Sequence, residues 1–388
     1  MKSKKMIAMM ITVSMLAAAF AGCLGDDDDK TTVKIGFMNP LTGPLEPDAS
    51  GFSWGASEAI KDLNAMYDDY EFELVEVDSG CDGAVSGPAA STLVDSGVVA
   101  VAGAACSGAS MGANAVLSAA SIPMISYAST NPGLSDATAY PHFFRVVPSD
   151  AIQGPALADV VTAGGSSNIA LLHMTNDYGS GLADAIGAAW NATAGNKLCG
   201  FGMVGYEDTT TDFSAQATNL AAATDCTGVY LSSYITDAAA ILEALSAANY
   251  TGKIFAGDGP AGIGLYEKLS DNTLAANMIV TAPRAGTSYG DFEARYDADA
   301  ASIGSIKTYV LTTYDAVMII GKAAAMDGAI NDNIKSVGTS FQGASGMHSF
   351  LANGDVGGDG YDICTYDGAA AYTCAKYWTA TGGVQASS

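Results

Sequence analysis

Basic side chains are scarce in this 388-residue chain: 16 Lys and Arg stand against 41 acids, 32 of them Asp, for a formal charge of −25. Phosphate binding needs clustered Lys and Arg, so a DNA- or RNA-coating protein is excluded. Histidine is nearly absent. Its three residues are dispersed and no CxxC pair occurs, so no metal-ligand spacing is present. Only residues 6–20 form a long apolar run, and nothing else approaches the roughly 18 residues of a membrane span. Charged residues make up 15% in all, so the acidity reflects missing bases as much as abundant Asp. Apolar residues supply 49%, which argues against disorder. The length suits two lobes of roughly 150 residues, each large enough for a core.

The beginning of the chain reads as an export signal. Lys2, Lys4 and Lys5 precede the apolar run Met6 to Phe20, and Ala21-Gly22-Cys23 follows. Small residues ending in Cys match a lipobox, with Phe20 in place of the usual Leu, so Cys23 is the expected lipidation site. Residues 24–32, LGDDDDKTT, read as a solvated tether. Setting Cys23 aside leaves six of the seven cysteines: Cys81, Cys106, Cys199, Cys226, Cys364 and Cys374. An even number outside the cytoplasm predicts disulfides, with fifteen pairings open in principle.

Short apolar runs then alternate with Ala-rich amphipathic stretches. Strands are expected near 33–38, 71–77, 98–103, 123–126, 168–173, 200–206, 228–232, 253–257 and 278–282. Helices are expected near 52–66, 85–96, 109–120, 181–194, 212–223, 236–248, 261–270 and 308–327. This alternation predicts an α/β fold with parallel sheets covered on both faces. Residues 142–150 read as a passage between lobes. Residues 350–378 hold Gly-rich turns between β-like runs and predict a hairpin, with Cys364 and Cys374 flanking its second turn.

Three motifs imitate known chemistry. Gly108-Ala-Ser-Met-Gly112 fits the G-x-S-x-G of hydrolases, but Ser110 falls in a first helical turn rather than at a strand end. Nothing places His142, His173 or His348 beside it. Gly257-Asp-Gly-Pro-Ala-Gly262 fits G-x-G-x-x-G, but Asp258 would set a carboxylate against a pyrophosphate. The segment 353–362, NGDVGGDGYD, lacks the spacing of a Ca²⁺ loop and reads as a tight turn. Asn191 and Asn249 head N-x-T triplets, a weak signal for glycosylation.

A fourth pattern carries more weight. Ser107, Thr130, Tyr178, Tyr234 and Asp258 each follow the C-terminal end of an expected strand, where open α/β sheets bind ligands. Hydroxyls and free N–H groups at helix starts suit a carboxylate, and an acid facing them suits an ammonium. Together they describe a cleft for an α-amino acid.

The motifs VKIGFMNPLTGP, GAACSG, MISYASTNPGL, YPHFFRVVPSDAIQGPALA, NDYGSGLADA, TDFSAQATNL, IFAGDG and TYDAV occur in order from residue 33 onward. With them the chain resembles the extracytoplasmic solute-binding proteins of branched-chain amino acid ABC transporters, of the leucine/isoleucine/valine type. The resemblance implies two doubly wound α/β lobes joined by three crossover strands, a type I periplasmic-binding-protein fold behind a lipoprotein signal peptide. It implies a signal peptide at 1–22 and a lipidated tether at 23–32. The first lobe would take 33–148 and 281–346, the second 149–280 and 347–388. Ser107 would bind the ligand carboxylate, and Ala128, Ser129 and Thr130 would add main-chain groups and a hydroxyl. Asp258 would take the ammonium, and Tyr178 and Tyr234 would close over the ligand. Cys81 would pair with Cys106, Cys199 with Cys226 on neighbouring strands, and Cys364 with Cys374. Asp48 stands where relatives often carry an aromatic. If it faced the cleft it would disfavour a purely aliphatic ligand, because a desolvated carboxylate would lack a partner.

The expected function is the substrate-binding component of an ABC importer, a non-enzyme that captures a branched-chain or related small or polar amino acid or amide by hinge closure. The expected partners are the amino acid, the permease subunits and, through Cys23, the outer face of the cytoplasmic membrane. No cofactor, metal or nucleic acid is expected, and the protein should be a monomer. The alternatives are a sensing domain of the same fold and, more remotely, a Ser hydrolase using Ser110.

Overall fold

The structure is a computed structural model that describes residues 30–286, 290–303, 306–358 and 360–387. The leader, Cys23 and all of the tether before Lys30 lie outside the described residues. The first sheet comprises β1 (Thr31–Asn39), β2 (Tyr70–Asp78), β3 (Ala100–Ala102), β4 (Met124–Ser126) and β5 (Phe143–Arg145). They run parallel in the order β2-β1-β3-β4-β5. Five consecutive residues at the end of β1 are buried, as a strand covered on both faces requires. The connecting helices are α1 (Ala49–Met66), α2 (Gly83–Asp95) and α3 (Ser107–Ala119).

The chain then enters α4 (Asp150–Ala163), a helix the sequence pattern does not announce. Gly154 and Pro155 lie inside it, and both are poor helix formers. Ser149 starts it by accepting the Ala151 N–H, a cap of about 1 kcal/mol. The segment 142–150 is therefore a strand followed by a helix start rather than a simple connector. The second sheet holds β6 (Asn168–Met174), β7 (Lys197–Tyr206), β8 (Gly228–Ser232), β9 (Lys253–Ala256) and β10 (Ile279–Pro283). Between them run α5 (Asp177–Ala192), α6 (Ser214–Ala222), α7 (Ile235–Ala247) and a short α8 (Gly264–Lys268).

After β10 the chain returns to the first sheet through α9 (Phe292–Ile303), α10 (Lys307–Ala324) and α11 (Ile330–Gly338). Helix α10 packs on α1, β1 and β3. The small hairpin β11 (Phe341–Gly343) and β12 (Gly346–His348) follows. Strands β13 (Tyr361–Tyr366), β14 (Tyr372–Thr379) and β15 (Gly383–Ala386) then extend the second sheet in antiparallel fashion beside β10. Its full order is β15-β14-β13-β10-β9-β8-β6-β7. The chain thus passes between sheets three times, after β5, after β10 and before β13. This is an α/β fold of two wound lobes.

Three disulfides form: Cys81–Cys106, Cys199–Cys226 and Cys364–Cys374. The expectation that Cys199 and Cys226 sit on neighbouring strands is corrected. Strand β6 lies between β7 and β8, and Cys226 sits in the turn before β8, which reaches back so that Asp225 accepts the Gly200 N–H. The bridge closes a span of 27 residues. Replacing both by Ser should lower stability by about 2–4 kcal/mol, read as a lower denaturant midpoint with a steeper slope, since the freed unfolded chain exposes more surface.

Candidate functional site

Strand ends from both sheets meet at one small cavity. Leu45, Ala105, Ser107, Ala128, Tyr178, Tyr234, Asp258, Gly259, Ile306 and Tyr309 line it. Ser107 is the first residue of α3, so its hydroxyl and the free N–H groups of the first turn share one place. The Ser107 Oγ accepts the Asn131 N–H at 3.2 Å, which ties the ends of β3 and β4 together. Thr130 is fully buried outside the lining, its hydroxyl turned to the Asp150 carboxyl. From the second sheet, Tyr178 opens α5 and Tyr234 caps α7; their rings stack at 4.9 Å.

Asp258 follows β9 and is buried. The Tyr178 hydroxyl donates to its Oδ1 at 3.1 Å and the Tyr309 hydroxyl to its Oδ2. Tyr178 in turn accepts the Gly259 N–H at 3.0 Å. Gly259 must be glycine here, because a Cβ would strike the Ser233 carbonyl. Burial raises the Asp258 pKa, while the Tyr309 and Tyr178 donors oppose the rise. Asp150, the first residue of α4, adds a second carboxylate to this cluster. It is fully buried, with the Thr130 hydroxyl beside its carboxyl. Desolvation and the Asp258 charge push its pKa well above the ordinary range. Two like charges this close do not both ionise. Burial raises both carboxyls, and the two phenol donors favour the charge on Asp258. The result is a buried carboxyl and an N-terminal helix turn lining one cavity from the two lobes.

The halves already touch around this cavity. The Asn131 side chain donates to the Asp177 carbonyl at 2.5 Å, and Tyr309 crosses from α10 to Asp258. Only about 20 Å³ is open to the centre of a water molecule, room for a single water. Ligand entry therefore requires the lobes to part. A wider groove of about 650 Å³ runs along α4 and α5, but it is an open furrow of mostly small side chains without the convergent buried polar groups seen here.

The other predicted residues fall outside the lining. The Ser129 hydroxyl donates to the Ala104 or Ala105 carbonyl, so its side chain braces the loop after β3. The Asp48 carboxylate accepts the Ile306 N–H at 3.2 Å behind the cavity wall. The hydrolase-like Ser110 bonds the Ala104 carbonyl and Ser129. The three histidines are engaged elsewhere: His142 with Asn331, His173 with the Met174 carbonyl, and His348 with Asp315 and Ser345. In 353–362, Asp355 pairs with the buried Arg145 at 2.7 Å, and no metal-ligand cluster occurs among the described residues. Asn191 and Asn249 are both exposed.

The chain has relatives among known proteins. A model described as "Receptor family ligand binding region" matches residues 55–369. The chain belongs to this family. It is 27% identical over 338 residues to the leucine-specific-binding protein of Salmonella typhimurium, covering 83% of this chain and 84% of that one. It is 32% identical over 188 residues to metabotropic glutamate receptor 6 of Oryctolagus cuniculus, covering 48% of this chain and 22% of the receptor. Among solved structures, it resembles the branched-chain amino acid transporter substrate-binding protein LivJ of Streptococcus pneumoniae in complex with isoleucine. That match has a TM-score of 0.75, 25% identity, and coverage of 88% of this chain and 99% of that one. The fold is the type I periplasmic binding-protein fold. The relatives are binding proteins rather than enzymes, and this chain likewise has no catalytic function.

Within the family fold, Asp48 offers a stability test. Burial raises its pKa to about 6, against the pull of the Ile306 N–H. A carboxyl raised in the folded state stabilises only while protonated, so its contribution is lost as pH rises from the ordinary carboxyl value through about 6. Asn can accept the same N–H without a charge. Asp48→Asn should therefore raise stability at pH 8 by about 3 kcal/mol, and the gain should vanish below pH 4. Denaturant melts at the two pH values check this; a variant less stable at pH 8 contradicts it.

Proposed function

We propose that the protein is the substrate-binding component of an ABC importer and captures an α-amino acid between its lobes. The observation that carries this reading is the buried carboxyl of Asp258 lining one small cavity with Ser107 at the start of α3. The ligand carboxylate sits at the start of α3 on Ser107 and Thr130, beside the main chain of Ala128 and Ser129. Its ammonium sits on Asp258, and Tyr178, Tyr234 and Tyr309 cover it. Binding bridges both sheets and so favours the closed arrangement that a permease would recognise. The leucine and isoleucine named for the relatives support an α-amino acid as the ligand. Asp48 faces Ile306 N–H rather than the lining, which leaves an aliphatic side chain acceptable. A lipid on Cys23 would hold the protein, as a monomer, at the outer membrane face. No helix among the described residues is long and apolar enough to cross a membrane.

A thermal-shift screen of the amino acids tests the reading: at least one should raise the melting temperature in a concentration-dependent way. A folded protein unaffected by all of them would end it. Affinity should also fall on acidification. Burial raises the Asp258 pKa, so protonation removes the counter-charge of the ammonium at a pH above the ordinary carboxyl value. Where Asp258 is protonated, docking the ammonium must release that proton to solvent, so calorimetric affinity should rise from pH 5 to pH 8. An affinity that rises toward pH 5 would contradict the assigned role.

The glutamate-receptor match supports a second reading, a sensing domain of the same fold. Genes for permease and ATPase subunits beside this one would favour transport.

A further inference from the structure

A second cavity lies against the first. Ile306 is the wall they share, since it lines both. This chamber measures about 500 Å³, within the range of roughly 300–1,000 Å³ found for small-molecule sites. It too lies between the lobes, with Ile263, Ala282, Ala285 and Tyr372 on one side and Tyr296 and Leu311 on the other. Those walls are apolar, while the charged groups stand at its edges. Lys307 is matched by Glu293 at 2.9 Å and Asp297 at 2.7 Å. Asp362 also lines the chamber, and its Arg284 partner is 3.5 Å away and stacked over the Tyr377 ring. Burial raises the Asp362 carboxyl to about 6. Two carboxyl side chains, Glu293 and Asp362, and one cation, Lys307, thus line an otherwise largely apolar space.

The first cavity has room for one water, and the chamber beyond Ile306 has room for a whole side chain. We propose that the chamber is the side-chain subsite, entered when Ile306 swings aside, and that the preferred ligand is an α-amino acid with a side chain longer than that of leucine, an apolar stem and a cationic or hydrogen-donating tip directed at Asp362. This rests on the reading of Ser107, Thr130 and Asp258 as the α-amino-acid anchor and adds what that anchor leaves open.

Calorimetry with alanine, valine, leucine, glutamine, lysine and arginine tests it on the full-length protein. The wild type should bind at least one of the last three tenfold or more tighter than valine and leucine. Ala285→Leu and Thr308→Leu fill the chamber from partly exposed positions, where folding tolerates them. Each should weaken the long-chain ligand at least tenfold and leave alanine within twofold. Asp362→Asn should weaken the same ligand and spare alanine. Preference for valine or leucine over all longer ligands overturns the proposal, as does long-chain binding that ignores both filling variants; the anchor survives either result. Failure of every amino acid to bind overturns the anchor and this proposal together.

Discussion

Asp258→Asn should reduce affinity for the amino acid by roughly 2–5 kcal/mol, about 30-fold to several thousand-fold, because it removes one partner of a desolvated charge pair. The substitution is isosteric, so the cavity keeps its shape. One of the Tyr178 and Tyr309 hydroxyls keeps its acceptor, and the other must turn to accept from the new amide NH2. What disappears is the charge. Asp150 is next to it, but burial and the Asp258 charge oppose its ionisation. The variant can recover only by ionising Asp150, which burial opposes. Asp150→Asn should accordingly cost much less than Asp258→Asn, and a reversed ranking would move the charge to the other carboxylate. Ser107→Ala should lose about 1–3 kcal/mol, the cost of leaving a buried ligand oxygen without its donor. Calorimetric titration of the three variants beside the wild type reads all of these effects.

Asp355→Ala should destabilise the fold by about 3–5 kcal/mol, because a buried guanidinium is left without its counter-charge. Arg145 has no exposed surface, and its Nε donates to Asp355 at 2.7 Å. Its other nitrogens donate to the Asn131 carbonyl at 3.0 Å, the Ser129 carbonyl at 3.3 Å and the Ser135 hydroxyl at 2.7 Å. One side chain at the end of β5 thus holds the loop that carries Thr130 and ties it to the last crossing of the chain. Ligand affinity should fall with stability, since the Thr130 loop loses its brace. Denaturant unfolding measures the first effect, and a change under 1 kcal/mol would show that the pair carries no such load.

The sheets were legible because their strands are short apolar runs separated by Ala-rich stretches of helical length. Helix α4 was not, since Gly154 and Pro155 interrupt its pattern and only the Ser149 cap marks its start. That omission hid Asp150, which is placed in the cluster by the first turn of that helix. Tyr309 was hidden for a different reason. It lies inside α10, whose apolar pattern reads as core, and only the fold brings it to Asp258, 51 residues away in sequence. Strand-end position did indicate Ser107, Tyr178, Tyr234 and Asp258, because a local turn decides where each of them points. Asp48 shows the limit of reading a residue by its position in a motif. Its neighbours in sequence lead toward the cavity, but an N–H group 258 residues away takes its carboxylate.

The central claim is an orientation: carboxylate toward α3, ammonium toward Asp258. A crystal structure of the protein grown with its tightest amino acid tests this most directly. The account predicts one ligand carboxylate oxygen within hydrogen-bond distance of Ser107 Oγ or Thr130 Oγ1, and the ammonium within that distance of the Asp258 carboxylate. A ligand bound in the reversed orientation, or bound away from these three residues, would contradict it.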